Sequence, residues 1–110
     1  MRRGGDAERR AARWYRLRGW RIVGTNVWAG GYELDLVVRR GRMLRFVEVR
    51  ERRPTRHGEP VETVGPEKQR RIRQAAETWL AAHPDARTLV AAFDVVAVSD
   101  GRLVRIPSAF

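Results

Sequence analysis

The sequence predicts an α/β domain whose elements run in the order αβββαββ. Three observations predict it. Two segments, residues 7–17 and 66–80, repeat apolar residues at helical spacing. Five others are rich in β-branched and aromatic residues. Glycine and proline fall between them, where chain breaks are needed. With 110 residues the chain can build one core, so residues 1–110 read as a single domain.

The elements follow in order. Asp6 is placed to cap a helix from Ala7 to Leu17, with Ala7, Ala11, Trp14 and Tyr15 as its buried stripe. Gly19 ends it. Trp20 to Val27 is a strand with an irregularity expected at Gly24. Gly30-Gly31 is a break. Tyr32 to Arg39 and Met43 to Glu51 form a hairpin around Arg40-Gly41. A polar, proline-containing loop spans residues 52–65, long for so small a domain. Pro66 opens the second helix, with Ile72, Ala75, Ala76, Trp79 and Leu80 as its stripe and Pro84 as its stop. Thr88 to Val98 reads as a buried strand, and Asp100-Gly101 turns into a last strand, Leu103 to Ile106.

Composition narrows the function. The formal net charge is +10, which implies an anionic partner. Of 23 basic residues only Lys68 is lysine. Arginine is the better bidentate phosphate ligand, although codon bias also enriches it. No apolar run is long enough to span a bilayer, and no amphipathic basic helix with a large apolar face points to a membrane surface. The absence of cysteine excludes disulfides and thiolate metal sites and fits a reducing compartment. Met1-Arg2-Arg3-Gly4-Gly5 has no apolar stretch behind it, unlike a secretory signal. The expected location is the cytoplasm.

The hairpin carries the candidate chemistry. Side chains alternate along a strand, so Glu33, Asp35 and Val37 share a face, as do Phe46, Glu48 and Arg50. A two-residue turn at Arg40-Gly41 pairs 39 with 42. A four-residue turn pairs 39 with 44 and 35 with 48. Either even-length turn puts Asp35 and Glu48 on one face; an odd one separates them. Two close carboxylates repel unless a cation lies between them. Mg²⁺ (or Mn²⁺) suits such a pair and leaves room for phosphate oxygens. Arg50 falls on the same face and can stabilise a phosphate. An isolated pair of this kind would read as solvated and salt-bridged; here each acid is embedded in an otherwise apolar strand.

At these residues the chain resembles the YraN-like bacterial family, which is similar to small members of the PD-(D/E)XK, or restriction-endonuclease-like, superfamily. Gly5 to Ala12, containing Glu8, resembles the family's opening helix. Gly19-Trp20-Arg21-Ile22 with Asn26 resembles its first strand. Gly31-Tyr32-Glu33-Leu34-Asp35-Leu36-Val37 is similar to G-x-E-[IL]-D-[LI]-[IV], and Phe46-Val47-Glu48-Val49-Arg50 to F-V-E-V-K. Lys68-Gln69-Arg70-Arg71-Ile72 resembles K-[QR]-x-R-[IL], and Phe93-Asp94-Val95-Val96 and Ala109-Phe110 also match. The resemblance implies a single-domain restriction-endonuclease-like fold, a mixed central sheet flanked by helices. It implies metal-dependent phosphodiester hydrolysis on DNA rather than RNA, branched DNA included. Asp35 and Glu48 would be metal ligands, and Glu8 would reach the site from the first helix, where the plain alternative is a solvated glutamate. Resolvase-like relatives often pair, which implies a homodimer by analogy.

One departure limits the activity. Arg50 stands where the motif has lysine, and arginine effectively cannot release a proton. Binding survives that change; hydrolysis is where it would be felt. The alternative is therefore a nucleic-acid-binding module with weak or no turnover. Lys68, Arg52, Arg53 and Arg56 are the candidate phosphate contacts, which position a substrate without reading its sequence. His57 reads as a solvent-titrating loop residue. Trp28 could stack a base, but partial burial is the expected state.

Overall fold

A computed structural model describes residues 5–51 and 64–110. Helix α1 spans Asp6–Leu17, followed by strands β1 (Arg21–Ala29), β2 (Tyr32–Arg40) and β3 (Met43–Glu51). Helix α2 spans Pro66–Ala82, a 3₁₀ turn Pro84–Ala86, and strands β4 (Val90–Ser99) and β5 (Arg102–Ile106) complete the chain. The predicted element order is present; the 3₁₀ turn is an addition that the sequence reading did not contain.

The strands form one sheet in sequential order, β1-β2-β3-β4-β5. All neighbours are antiparallel except β3 and β4, which are parallel. That mixed pattern follows from the connections: short turns join antiparallel strands, whereas β3 reaches β4 through α2.

Several local expectations are corrected. Gly5, not Asp6, is the cap of α1; Asp6 lies in the first turn with Glu8, where acidic charge suits the helix dipole. Ala12 is buried where Trp14 was expected, and Trp14 and Leu80 are only partly buried. The β2–β3 turn is Gly41-Arg42, one residue later than expected, since Arg40 still pairs with Met43. Gly41 takes φ +61° at the first central position, as a type II′ turn requires. Gly30 and Gly31 both have positive φ, so that break is a tight I′ hairpin joining β1 to β2. The irregularity expected near Gly24 is a bulge between Ile22 and Gly24.

Each sheet face has its own core. On one face Val47, Val49, Val96 and Val98 pack with Ala7, Ala11 and Tyr15 of α1. On the other Leu44, Phe46 and Val95 pack with Ile72, Ala75 and Trp79 of α2. Strands β3 and β4 alternate cleanly between the two. Strand β2 does not: Leu36 and Val38 belong to the α1 core, but Leu34 belongs to the α2 core with Val37. The faces therefore swap at Asp35. Opposite it on β1 stands Asn26, flanked by the pairs Thr25–Leu36 and Val27–Leu34, with φ +49°. Beyond this point Val27, Ala29 and Tyr32 turn toward α2.

A buried acid ties the α1 side together. Asp94 on β4 is fully buried. The Tyr15 hydroxyl donates to it at 2.7 Å, Arg105 Nε at 2.9 Å and the Ser108 amide at 3.1 Å. Burial first, then the Asp94 charge, pushes the Tyr15 hydroxyl far above its usual pKa, so it stays a donor.

Candidate functional site

The register of the β2–β3 hairpin runs from Arg40–Met43 to Leu36–Val47. One step further sets Asp35 across from Glu48. The two-residue turn thus yields the direct pairing that the sequence reading had assigned to a longer one. The regular ladder ends there, and the Asp35 carboxylate takes over: the Val49 amide donates to Asp35 Oδ2 at 2.8 Å.

Glu48 is buried to 6 % exposure, yet it carries a charge-bearing group in a strand flanked by Val47 and Val49. Its compensation comes from α2. Lys68 lies in the first turn of that helix, which begins with Pro66 at its N-terminal position. From there Lys68 Nζ reaches 2.6 Å from Glu48 Oε2. Burial disfavours the charged ammonium, but the hydrogen bond and charge of Glu48 outweigh it, and Tyr32 adds a further hydrogen bond. Lys68 is therefore held above the usual lysine pKa, fully protonated at neutral pH.

Among the described residues no cation contacts Asp35 as Lys68 contacts Glu48. Burial, then the charge of Glu48, pushes its pKa from 3.8 up to about 7. The Val49 hydrogen bond pulls the other way, Glu8 adds repulsion, and Lys68 relieves some of it. Glu8 acts from α1, on the opposite side of the sheet from Lys68. Both reach Asp35 because the faces swap at that residue.

The remaining candidates separate. Arg50 is half-buried on β3, on the α2 side with Glu48 by strand alternation. Arg52, Arg53, Arg56 and His57 lie outside the described residues. Lys68, expected as a phosphate contact, is placed on a carboxylate. Trp28, expected to be partly buried, is 62 % exposed; its neighbours Val27 and Ala29 take the α2 side, leaving the indole on the uncovered one. The left-handed Asn26 went unnoticed as a site residue, though an Asn in a strand opposite an acid is a signal of local backbone departure.

The donor chemistry fits a hard divalent cation. Asp35 Oδ1 and Glu48 Oε1 remain after the Val49 and Lys68 contacts, and both are carboxylate oxygens. Among the described residues no group of three or more His, Cys, Asp or Glu forms a metal-holding cluster. A cation held by these two carboxylates would keep open positions for water and phosphate. Among the described residues no helix is long and apolar enough to cross a membrane.

The chain is similar to uncharacterised bacterial proteins over most of its length. A UPF0102 protein of Chromohalobacter salexigens is 47% identical over 98 residues, covering 89% of this chain and 78% of its own. One from Anaeromyxobacter dehalogenans is 43% identical, covering 97% of this chain and 82% of its own. The UPF0102 protein YraN of Escherichia coli is 41% identical over 108 residues, covering 96% of this chain and 82% of its own. The model of the uncharacterised protein family UPF0102 matches residues 7–98, a span that holds Glu8, Asp35, Glu48, Arg50 and Lys68. The chain belongs to the UPF0102 family.

Proposed function

We propose that this protein is a nucleic-acid-binding member of the PD-(D/E)XK superfamily, a cytoplasmic metal-dependent phosphodiesterase that acts on DNA, branched DNA included. One observation supports it above the others: Asp35 and Glu48 stand opposed in adjacent strands, and burial, then the charge of Glu48, pushes the Asp35 carboxyl up to about 7. Asp35 and Glu48 would hold Mg²⁺ or Mn²⁺. When bound, that ion would supply Lewis acidity at the phosphate.

The chain's own groups divide the remaining work. Val49 fixes Asp35 through its amide, and Lys68 fixes Glu48. Lys68 also sets a permanent positive charge beside the carboxylates, suited to a phosphate oxygen. Arg50 adds a second permanent charge on the same side. Glu8 brings a third carboxylate within electrostatic reach of Asp35.

A second reading, a binding module with weak or no turnover, is favoured by one specific feature. Neither cation is suited to give up a proton: Arg50 is an arginine, and Glu48 holds Lys68 protonated. A screen of single-stranded, duplex, flapped and four-way DNA with Mg²⁺ or Mn²⁺ separates the two. The nuclease reading expects metal-dependent product that disappears in Glu48→Ala. Binding without product on every substrate would leave the module. Neither binding nor product would remove both.

A further inference from the structure

A groove of about 570 Å³ lies between α1 and β1, outside the carboxylate pair. Glu8, Arg13 and Arg16 line it from the helix, Thr25 and Asn26 from the strand. Helix α1 is followed after a short turn by β1, so the two run in opposite senses. Arg16 and Arg13 therefore mark one end of the groove, and Glu8 and Asn26 the other. That second end abuts Asp35, which faces Asn26 across the strands and feels the charge of Glu8.

The arginines of α1 are not equivalent. Arg10 donates to the Ser99 carbonyl, Arg18 to that of Trp14, and Arg9 approaches Asp6. Arg13 and Arg16 are exposed and have no ion pair or hydrogen bond among the described residues. They stand three residues apart, on one face of the helix. Past Asn26, on the same uncovered side of β1, the indole of Trp28 is 62 % exposed. Two guanidiniums without a partner among the described residues, then a carboxylate pair, then an exposed aromatic plane is a sequence of groups matched to a polynucleotide strand. Guanidiniums take phosphates, and the indole takes a base. Stacking requires a base with a free face, which a strand inside a duplex does not offer.

Resting on the nucleic-acid reading above, we propose that this groove binds an unpaired strand of nucleic acid and leads it to Asp35. Arg13 and Arg16 contact successive phosphates, and Trp28 stacks a base beyond the carboxylates.

The test measures binding of a twelve-residue oligothymidylate, and of a duplex of the same length, across a salt series without divalent metal. All three substituted residues are exposed, and circular dichroism melts check that the variants fold. Arg13→Gln/Arg16→Gln should weaken oligothymidylate binding by about tenfold or more and flatten the log–log salt slope by about 1.4, two single-strand phosphates lost. Trp28→Ala should weaken it by about tenfold with the slope unchanged. Wild-type affinity and slope in the arginine variant would place the strand elsewhere and overturn the groove, while nucleic-acid binding stands. An arginine effect on the duplex as large as on the single strand, with none from Trp28→Ala, would overturn the unpaired-strand assignment. If the wild type binds neither probe, the nucleic-acid reading falls, and the groove with it.

Discussion

Two acids sit in the same sheet under opposite conditions. Asp94 is fully buried and accepts from Tyr15, Arg105 and Ser108. Asp35 is only partly buried, accepts from a single amide among the described residues, and faces the like charge of Glu48. The more buried acid is thus the better compensated one. Donors gathered around a carboxylate make it a fastener; a carboxylate left short of donors stores repulsion that an incoming cation can relieve. Asp94 accordingly reads as structural, and Asp35 is the acid to which the proposed function assigns a cation.

The largest expected effect breaks the fastener. Asp94→Ala should cost about 3–5 kcal/mol of unfolding free energy, because Arg105 and the Tyr15 hydroxyl lose a buried partner. Asp35→Ala should cost far less at pH 8. Equal losses in urea titrations would erase the distinction between the two acids.

A pH series sharpens it. The folded-state pKa of Asp35 is raised, so its contribution to stability is fully present below about pH 4 and lost as pH rises toward 7. Relative to Asp35→Asn, the wild type should lose on the order of 3 kcal/mol between pH 4 and pH 8. Parallel pH profiles for the two proteins would show that the repulsion is not there.

The smallest effect concerns the cation. At ten times its dissociation constant Mg²⁺ should stabilise the wild type by about 1.4 kcal/mol at pH 8. Thermal shifts should show that gain, and Asp35→Asn should lack it. A gain retained in Asp35→Asn would put the ion elsewhere.

Much of the fold was legible because it depends on local chemistry. Pro66 opening α2, the Gly30-Gly31 and Gly41 turns, and the apolar stripes of both helices are properties of short windows. The shared face of Asp35 and Glu48 was legible because parity survives moving a two-residue turn by one position along the chain. What was not legible depends on contacts distant in sequence. The approach of Lys68 to Glu48 requires knowing how α2 lies on the sheet. Trp28 was expected inside because tryptophan usually is; the face swap at Asn26 and Asp35 turns it out, and no periodicity in the sequence announces that swap.

The arginine count also divides once the structure is in view. Arg40 donates to the Arg18 carbonyl, Arg42 to that of Thr88, and Arg45 to that of Val90. These guanidiniums act as braces between separated segments, whereas Arg13 and Arg16 make no such bond among the described residues.

The face swap has a consequence beyond the site. A pleated sheet acts as a partition, and groups on its two sides ordinarily belong to separate compartments. Where Asn26 and Asp35 exchange sides, that partition has a window. Glu8 from one compartment and Lys68 from the other meet there at a single acid. The hairpin beyond the window answers to the α2 side alone, and its phase is decoupled from the strands behind it. An insertion or substitution in the tip that carries Trp28 therefore need not rephase the core that carries Glu48.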